Sequence, residues 1–411
     1  MLSHRWQQWK EHVLLRPVPH TLVSWRFLLP FQSRAIQLHR RVFLGAWPRL
    51  PRWQWALIAL YSSMTWLLFH SWQQIYFCMK NRSRDVAAEY CVPVHKQLVD
   101  LLYIALLHGI PPDDFYDYGL FNRPRKQWLE YIYPHELPQW HQVLSAGMRQ
   151  KTLHLMTDKR AFAEHMNEKG IASVETCAFF ARGEAVKADS IFSGRSLFFK
   201  PNTGSRGEGC FALSFDSETG QYQISDDEKV LAEEDILAEI NRRIELQDYL
   251  VQPLLKNHRL VDDLYGASKL VNLRLVTGII RGKPDALFAS LLIPCVDEYN
   301  TYWWLDIDVS SGLLLRRANV EPDELQVLMQ RLGGRASPFW REAVDICLKA
   351  HSLFPDLPSI GWDVAITSSG VKLLEGNFWW GVDGHQELNG PALHTALVDV
   401  YQQGVSSGCC R

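Results

Sequence analysis

The sequence predicts an α+β fold: a helical N-terminal region, then a body of short strands separated in places by acid-rich helices. Three observations predict it. Across 92–110 the apolar residues Val94, Leu98, Leu101, Leu102, Ala105 and Leu106 recur at helical spacing and stop at Gly109 and Pro111-Pro112. From residue 173 onward, strand-like runs appear at 173–180, 196–200, 210–215, 249–252, 269–280 and 286–293. Acid-rich helical stretches at 231–246 and 321–333 separate some of these runs.

The remaining elements follow in order. A loop rich in Pro, Asp and Tyr runs to residue 124, and helical character returns over 125–150. Thr157 is placed to N-cap a helix over 158–169, which Gly170 closes. The last third reads as a helix at 338–352, then two strands at 359–367 and 371–376 joined by the turn Ser368-Ser369-Gly370. No internal repeat and no low-complexity tract interrupts this order.

Composition narrows the function classes. The 411 residues are 47% apolar and 21% charged, so the chain is neither a disordered tail nor a coiled coil. Eight cysteines, with no CxxC and no zinc-type Cys/His spacing, fit a reducing cytoplasmic compartment and no structural metal. The overall charge of −2 hides an asymmetry: residues 1–84 hold twelve Lys/Arg against Glu11 alone, with eight of the sixteen tryptophans. A basic, Trp-rich segment suits an anionic membrane surface, where indoles sit at headgroup level. Nucleic acid would also suit the charge, but no recognition module accompanies it. From Trp53 to Met79 there is no charged residue, yet the richest apolar part, 55–69, falls short of the ~20 residues that span a bilayer. Peripheral contact or burial is expected there. Residues 1–20 lack the apolar run of a cleavable signal peptide.

Two blocks carry chemistry. Residues 196–210 (SLFFKPNTGSRGEGC) form an apolar strand ending in Lys200, a proline turn, and Gly204, Gly207 and Gly209 among polar residues. Glycines let main-chain N–H groups crowd against anionic oxygens, and a lysine at the strand end sets a point charge beside them. The spacing is not a Walker A, and no helix follows as in a dinucleotide GxGxxG. A plain Gly-rich hairpin turn is the alternative. Residues 361–377 (GWDVAITSSGVKLLEGN) form a hairpin that brings Asp363 opposite the end carrying Glu375 and Asn377, which alternation puts on one face. Two carboxylates and an amide oxygen are hard ligands suited to Mg²⁺; an ion pair with a Lys or Arg is the alternative.

Together these blocks resemble the ATP-grasp superfamily, and more narrowly its members associated with sugar transfer and exopolysaccharide genes. The likeness runs from about 95 to 400. It comprises residues 108–120 (HGIPPDDFYDYGL), Asp158-Lys159, the Lys200-to-Gly209 loop, Asn272-x-Arg274-x-x-Thr277 and the 361–377 hairpin. The resemblance divides the chain into a basic helical segment (1–90), a helical part of the family region (91–155) and two α+β lobes (156–252 and 253–411) that clasp ATP. It implies that Lys159 and Lys200 contact the nucleotide and that 202–209, with Gly204, Ser205, Gly207 and Gly209, cover its phosphates. Gln252, where an acid is commoner, and the main chain near Leu254 would read adenine, and His258 the ribose. Arg274 would act with Lys200 on the transferred phosphoryl, and Asp363, Glu375 and Asn377 would hold Mg²⁺.

The activity so implied is ATP-dependent joining of a carboxylate to an amine through an acyl phosphate, on a sugar or cell-envelope polysaccharide precursor. The rivals are phosphoryl transfer to a hydroxyl, and a membrane-docked scaffold with a regulatory ATP site. Tyr299, Tyr302–Trp304 and Phe378–Trp380 read first as plain aromatic packing; a sugar-binding surface built from them with His385 and Glu387 is the alternative. The partners are small molecules, not nucleic acid, and the expected location is cytoplasmic, peripheral on the inner face of the membrane through residues 1–84.

Overall fold

The structure, a computed structural model, describes residues 33–45, 51–204, 207–225, 232–261, 270–294, 302–315, 327 and 330–408. Ser205, Cys295, Tyr299, most of the stretch expected as a helix at 321–333, and the terminal Cys409-Cys410 lie outside the described residues. The chain divides into two compact units: residues 1–147 with 381–411, and residues 148–380.

The first unit is helical. Its periodic 92–110 stretch forms an α-helix, Val94–Leu102, that widens into a π-turn, Tyr103–Leu107. The chain then turns at Gly109, whose φ of +62° lies in the region glycine adopts without strain. Leu101, Ile104, Ala105, Ile110, Phe115 and Trp128 are fully or almost fully buried in its core. Gln97 braces them: its amide donates to Ser83 O and Val92 O and accepts from the Tyr116 hydroxyl at 2.9 Å. The single helical stretch expected at 125–150 is instead a 3₁₀ segment, Arg125–Glu130, and a short helix, Leu137–Leu144. Pro134 lies between them, with no N–H to continue a helical ladder.

The second unit is α+β, with two five-stranded sheets. The first has the order β1-β5-β2-β3-β4, from β1 (Ala178–Phe180), β2 (Leu197–Pro201), β3 (Phe211–Phe215), β4 (Tyr222–Ile224) and β5 (Tyr249–Pro253). The second has the order β10-β9-β6-β7-β8, from β6 (Asn272–Ile280), β7 (Lys283–Pro294), β8 (Tyr302–Ile307), β9 (Ser359–Thr367) and β10 (Gly370–Asn377). Every named pairing is antiparallel.

Each sheet buries one face under a helix. Leu197, Phe199, Leu213 and Val251 meet Ile236, Ile240 and Ile244, which recur every four residues on the Glu233–Ile244 helix. Leu273, Leu275, Leu291, Val364 and Leu373 cluster with Ala343, Cys347 and Ala350 of the Trp340–His351 helix and with Phe162 and Met166 of the Lys159–Glu168 helix. Burying one such Leu, Ile or Phe contributes about 1.5–3 kcal/mol. The Lys159–Glu168 helix is capped by Asp158, whose carboxylate accepts from Ala161 N at 2.8 Å, and not by Thr157 as expected. The Thr157 hydroxyl bonds back to Leu153 O, which commits it to the preceding helix.

Behind the second sheet a polar chain locks β6, β9 and the Trp340–His351 helix together. The Trp362 indole donates to Thr277 Oγ1 at 2.8 Å, Thr277 meets His351 Nδ1 at 2.6 Å, and His351 Nε2 meets Leu357 O at 3.0 Å. Thr277 and His351 are wholly buried, and burial holds the imidazole down at about 4. Above the ordinary histidine value of about 6.5 the ring is neutral in both states; below it the unfolded chain takes up a proton that the folded chain refuses. The brace therefore stabilises fully above pH 6.5 and loses up to about 3 kcal/mol as the pH falls toward 4. His351→Gln should lower stability at pH 7.5 and lose less than wild type on acidification. Urea unfolding from pH 7.5 to 4.5 checks this, and a wild-type advantage that stays constant with pH refutes it.

Candidate active site

The face of the second sheet opposite its apolar core is polar along one row. Residues directly paired in an antiparallel ladder point to the same side, about 4.5–5.5 Å apart. Glu375 pairs with Asp363, Asp363 with Arg274, Arg274 with Ser290, and Ser290 with Asp306, so one row crosses all five strands. Its placement depends on a bulge in β10. Leu373 pairs with Val364 and Glu375 with Asp363, leaving Leu374 as an extra residue. Were the same residues paired without a bulge, Glu375, two positions on, would share the buried side of Leu373. Beyond the bulge, alternation returns Asn377 to the polar face, paired with Gly361.

Two of this hairpin's three glycines, Gly361 and Gly376, are explained by what lies against them. A Cβ on Gly376 would sit 2.6 Å from the Trp362 ring, and one on Gly361 would sit 2.7 Å from Trp380 Cβ and 3.3 Å from Arg274 Nη1. Trp362 cannot give way, because Thr277 holds its indole.

Electrostatics distinguish the two acids. Asp363 is 7% exposed, and its Oδ1 lies 3.1 Å from Arg274 Nε. Burial raises its carboxyl above the usual range; Arg274 opposes this and the Glu375 charge adds to it. Burial also works to raise Glu375, but the Lys200 and Lys159 ammoniums hold it below the usual range. The Asn377 amide donates to Asp363 Oδ2 at 3.1 Å and to Glu375 Oε1 at 3.3 Å. Neither expected alternative excludes the other, since Asp363 has its arginine and still shares the site with a second acid.

The first sheet brings the lysines. Phe198 pairs with Gln252 and Lys200 with Leu250, so Lys200 and Gln252 lie on one face, away from the apolar cluster. Lys200 is 7% exposed; burial lowers its ammonium, with Glu375 as the strongest opposing charge and Lys159 nearby. Lys159 opens its helix and donates through Nζ to Gly204 O at 2.7 Å, tying that helix to the loop after β2. Gly204, Gly207 and Gly209 all have positive φ, and a Cβ on Gly209 would meet Gln247 Nε2 at 2.8 Å. Gly204, Gly207 and Gly209 are exposed.

Lys159, Lys200, Arg274, Asp363, Glu375 and Asn377 thus converge within the second unit. Gln252 donates to Val174 O at 3.3 Å, and Leu254 N donates to Ser196 O. His258 accepts from Leu260 N through Nδ1 and lies edge-on to Phe339.

The alternative, an aromatic sugar-binding surface, comes apart. Phe378 and Trp303 pack against the core of the second unit, and Trp380 donates to Ser359 Oγ at 3.1 Å beside Phe288. Trp379 is exposed. Asp383, His385 and Glu387 belong to the first unit, where the Tyr118 hydroxyl donates to Asp383 Oδ1 at 3.0 Å. Sequence reasoning missed Ser290, whose hydroxyl donates to Asp306 at 3.0 Å, both buried. The only available signal was an acid and a serine inside apolar runs. The open groove lined by Arg160, Glu164, Glu175 and Phe179 contains none of the expected site residues.

The donor set fits a divalent cation. Among the described residues no three His, Cys, Asp or Glu side chains converge on a metal position. Two carboxylates and one amide do converge here, as suits Mg²⁺ completed by phosphate and water oxygens. For Asn377 to contribute, its amide must turn over to present Oδ1, a change of orientation only. Asn272 Oδ1, on the same face as Arg274, is buried with no hydrogen-bond partner.

Among solved structures, the chain is similar to D-alanine–D-alanine ligase from Helicobacter pylori, at 14% identity over 62% of this chain and 61% of that one, with a TM-score of 0.38. It is also similar to the ATP-grasp ligase PsnB complexed with a minimal precursor, at 14% identity over 71% and 74%, with a TM-score of 0.36. A third likeness is to carboxyaminoimidazole ribonucleotide synthase from Aspergillus clavatus complexed with ATP, at 13% identity over 61% and 53%, with a TM-score of 0.37. The matched part spans about three-fifths of the Helicobacter ligase. No protein-family model and no curated protein matches the chain. The fold is α+β: a helical unit, and a second unit built on two five-stranded antiparallel sheets.

Gly376→Ala should destabilise the protein by about 1–3 kcal/mol, as overpacking against a fixed ring does. An unchanged urea midpoint would show that Trp362 yields.

Proposed function

We propose that the chain is an ATP-dependent carboxylate–amine ligase working through an acyl phosphate. The observation that supports this reading is the meeting of three cationic side chains with a part-buried two-acid, one-amide cluster. The chemistry needs charge neutralised and atoms positioned, with no side-chain nucleophile. Lys159 and Lys200 would hold phosphate oxygens of ATP, joined by main-chain N–H groups of the loop that includes Gly204, Ser205, Gly207 and Gly209. Arg274, fixed by Asp363 behind it, would hold the oxygens of the phosphoryl group as the substrate carboxylate takes it. Gln252 and the Leu254 carbonyl would face adenine, with His258 toward the ribose. Asp363, Glu375 and Asn377 would hold Mg²⁺, which when bound neutralises phosphate oxygens. The amine then displaces phosphate from the acyl carbon, leaving an amide.

The finer reading is a sugar or cell-envelope polysaccharide precursor as substrate, processed on the cytoplasmic side and at the inner face of the membrane. It rests on the likeness of the five sequence blocks. Direct phosphoryl transfer to a hydroxyl, or a scaffold with a regulatory ATP site, would use the same cations.

Incubation with ATP, Mg²⁺, hydroxylamine and a panel of amino acids, uronic acids and sialic acids should yield a hydroxamate with at least one acid, because hydroxylamine traps an acyl phosphate. Lys200→Met and Glu375→Ala should each lower that yield by about 100-fold or more while the protein stays folded. Phosphate transfer with no hydroxamate would assign the phosphotransferase instead. A folded Glu375→Ala enzyme with ordinary turnover would remove Glu375 from the cation site.

A further inference from the structure

Residues 52–90 form one continuous helical run: Arg52–Thr65, a π-turn at Trp66–His70, and Ser71–Tyr90. One flank is built into the first unit. Ile58, Trp66, Ile75 and Cys78 are buried, and the Trp66 indole donates to Ala105 O at 2.7 Å. The other flank is just as apolar and faces outward. Trp53, Leu57, Leu60, Tyr61, Met64 and Leu68 recur at three- and four-residue spacing, each between 47% and 64% exposed. Past the π-turn, Trp72, Tyr76 and Phe77 extend the exposed surface, each more than half exposed.

Soluble surfaces seldom gather so many large apolar side chains on one flank. The polar groups beside them are turned inward. Ser63 Oγ donates to Ala59 O at 2.7 Å, Thr65 Oγ1 to Ser62 O at 3.0 Å, and the Trp72 indole to Leu67 O at 2.9 Å. Each hydroxyl and indole proton is thereby satisfied within the helix, as an apolar surrounding requires. No charge falls between Trp53 and Met79; beyond its ends Arg40, Arg41, Lys80 and Arg84 are exposed, against Asp85 and Glu89 in the last turns of the same run.

We propose that this flank docks on an anionic lipid bilayer, lying along the surface with its apolar side chains at the headgroup–acyl boundary and the basic residues against lipid phosphates. Charge selects this occupant. A second copy would set the same basic excess against itself, since the described residues of 33–90 hold seven Lys/Arg against Asp85 and Glu89. The helix lies on the bilayer and does not cross it: no helix among the described residues is long and apolar enough to span. The proposal bears on the membrane location given above and is independent of the ligase chemistry.

The test is flotation of the full chain with phosphatidylglycerol/phosphatidylethanolamine vesicles and with phosphatidylcholine vesicles. The expected result is co-flotation with the anionic vesicles, reduced by high salt, and weak binding to the neutral ones. A Leu57→Glu/Leu60→Glu/Leu68→Glu variant should lose at least about tenfold in vesicle partitioning while keeping wild-type ATP binding. If that variant does not fold, wild-type tryptophan quenching by bromine-labelled acyl chains decides: quenching supports insertion, and none overturns it. Absence of flotation overturns the proposal. So does a wild-type dimer in sedimentation that fails to bind vesicles, which would assign the face to a second copy. Hydroxamate formation, measured separately, is unaffected by either result.

Discussion

Asp363 and Glu375 are two acids held on adjacent strands, in a place where water cannot screen them. Each buried carboxylate is costly unless positive charge stands close. Arg274 meets one from the neighbouring strand; Lys200 acts on the other from the first sheet, and Lys159 from the helix that packs in the second sheet's core. The rest of the second unit follows from this requirement. The second sheet supplies both acids and one cation, the first sheet a further cation, and in each sheet helices cover the opposite face. The resulting asymmetry, with one acid pushed up and its neighbour pulled down, is what a site for a multivalent cation looks like before the cation's charge is added.

Precision at that site comes from groups that touch no acid. Thr277 and His351 hold the Trp362 ring, the ring sets the room left at Gly376, and the glycine lies between Glu375 and Asn377. Trp380 and Gly361 do the same beside Arg274. Thr277 belongs to one of the blocks that prompted the family resemblance, yet its role is to fix a tryptophan, at a distance from any reacting group.

Local pattern made the helices, the two strand-rich stretches and the shared face of Glu375 and Asn377 legible, because each depends on neighbours a few residues away. The strand runs at 196–200 and 359–367 lie where β2 and β9 form. What pattern could not show is pairing. That Arg274 faces Asp363 is a matter of register between strands almost ninety residues apart; the resemblance assigned both to one nucleotide site without pairing them. Ser290 and Asp306 went unnoticed because nothing local distinguishes a serine and an aspartate in apolar runs from ordinary exposed positions. The N-cap was misplaced by one residue, since Thr157 and Asp158 both suit the role and only the preceding helix decides between them. The split of 378–387 between two units was equally invisible, because tryptophans in a row look alike whether they pack or protrude.

The extra residue Leu374 has a consequence for how this hairpin can change over time. Because one additional backbone unit reverses which way everything after it points, a lineage could not gain a further codon between Leu373 and Glu375 without turning the acid into the hydrophobic interior, whereas loss of Leu374 would leave Glu375 opposite Asp363 in a regular ladder. The tip of the same hairpin at Ser368–Gly370 carries no such parity constraint. Insertions among descendants of this chain should therefore collect at the tip and not between Leu373 and Asn377.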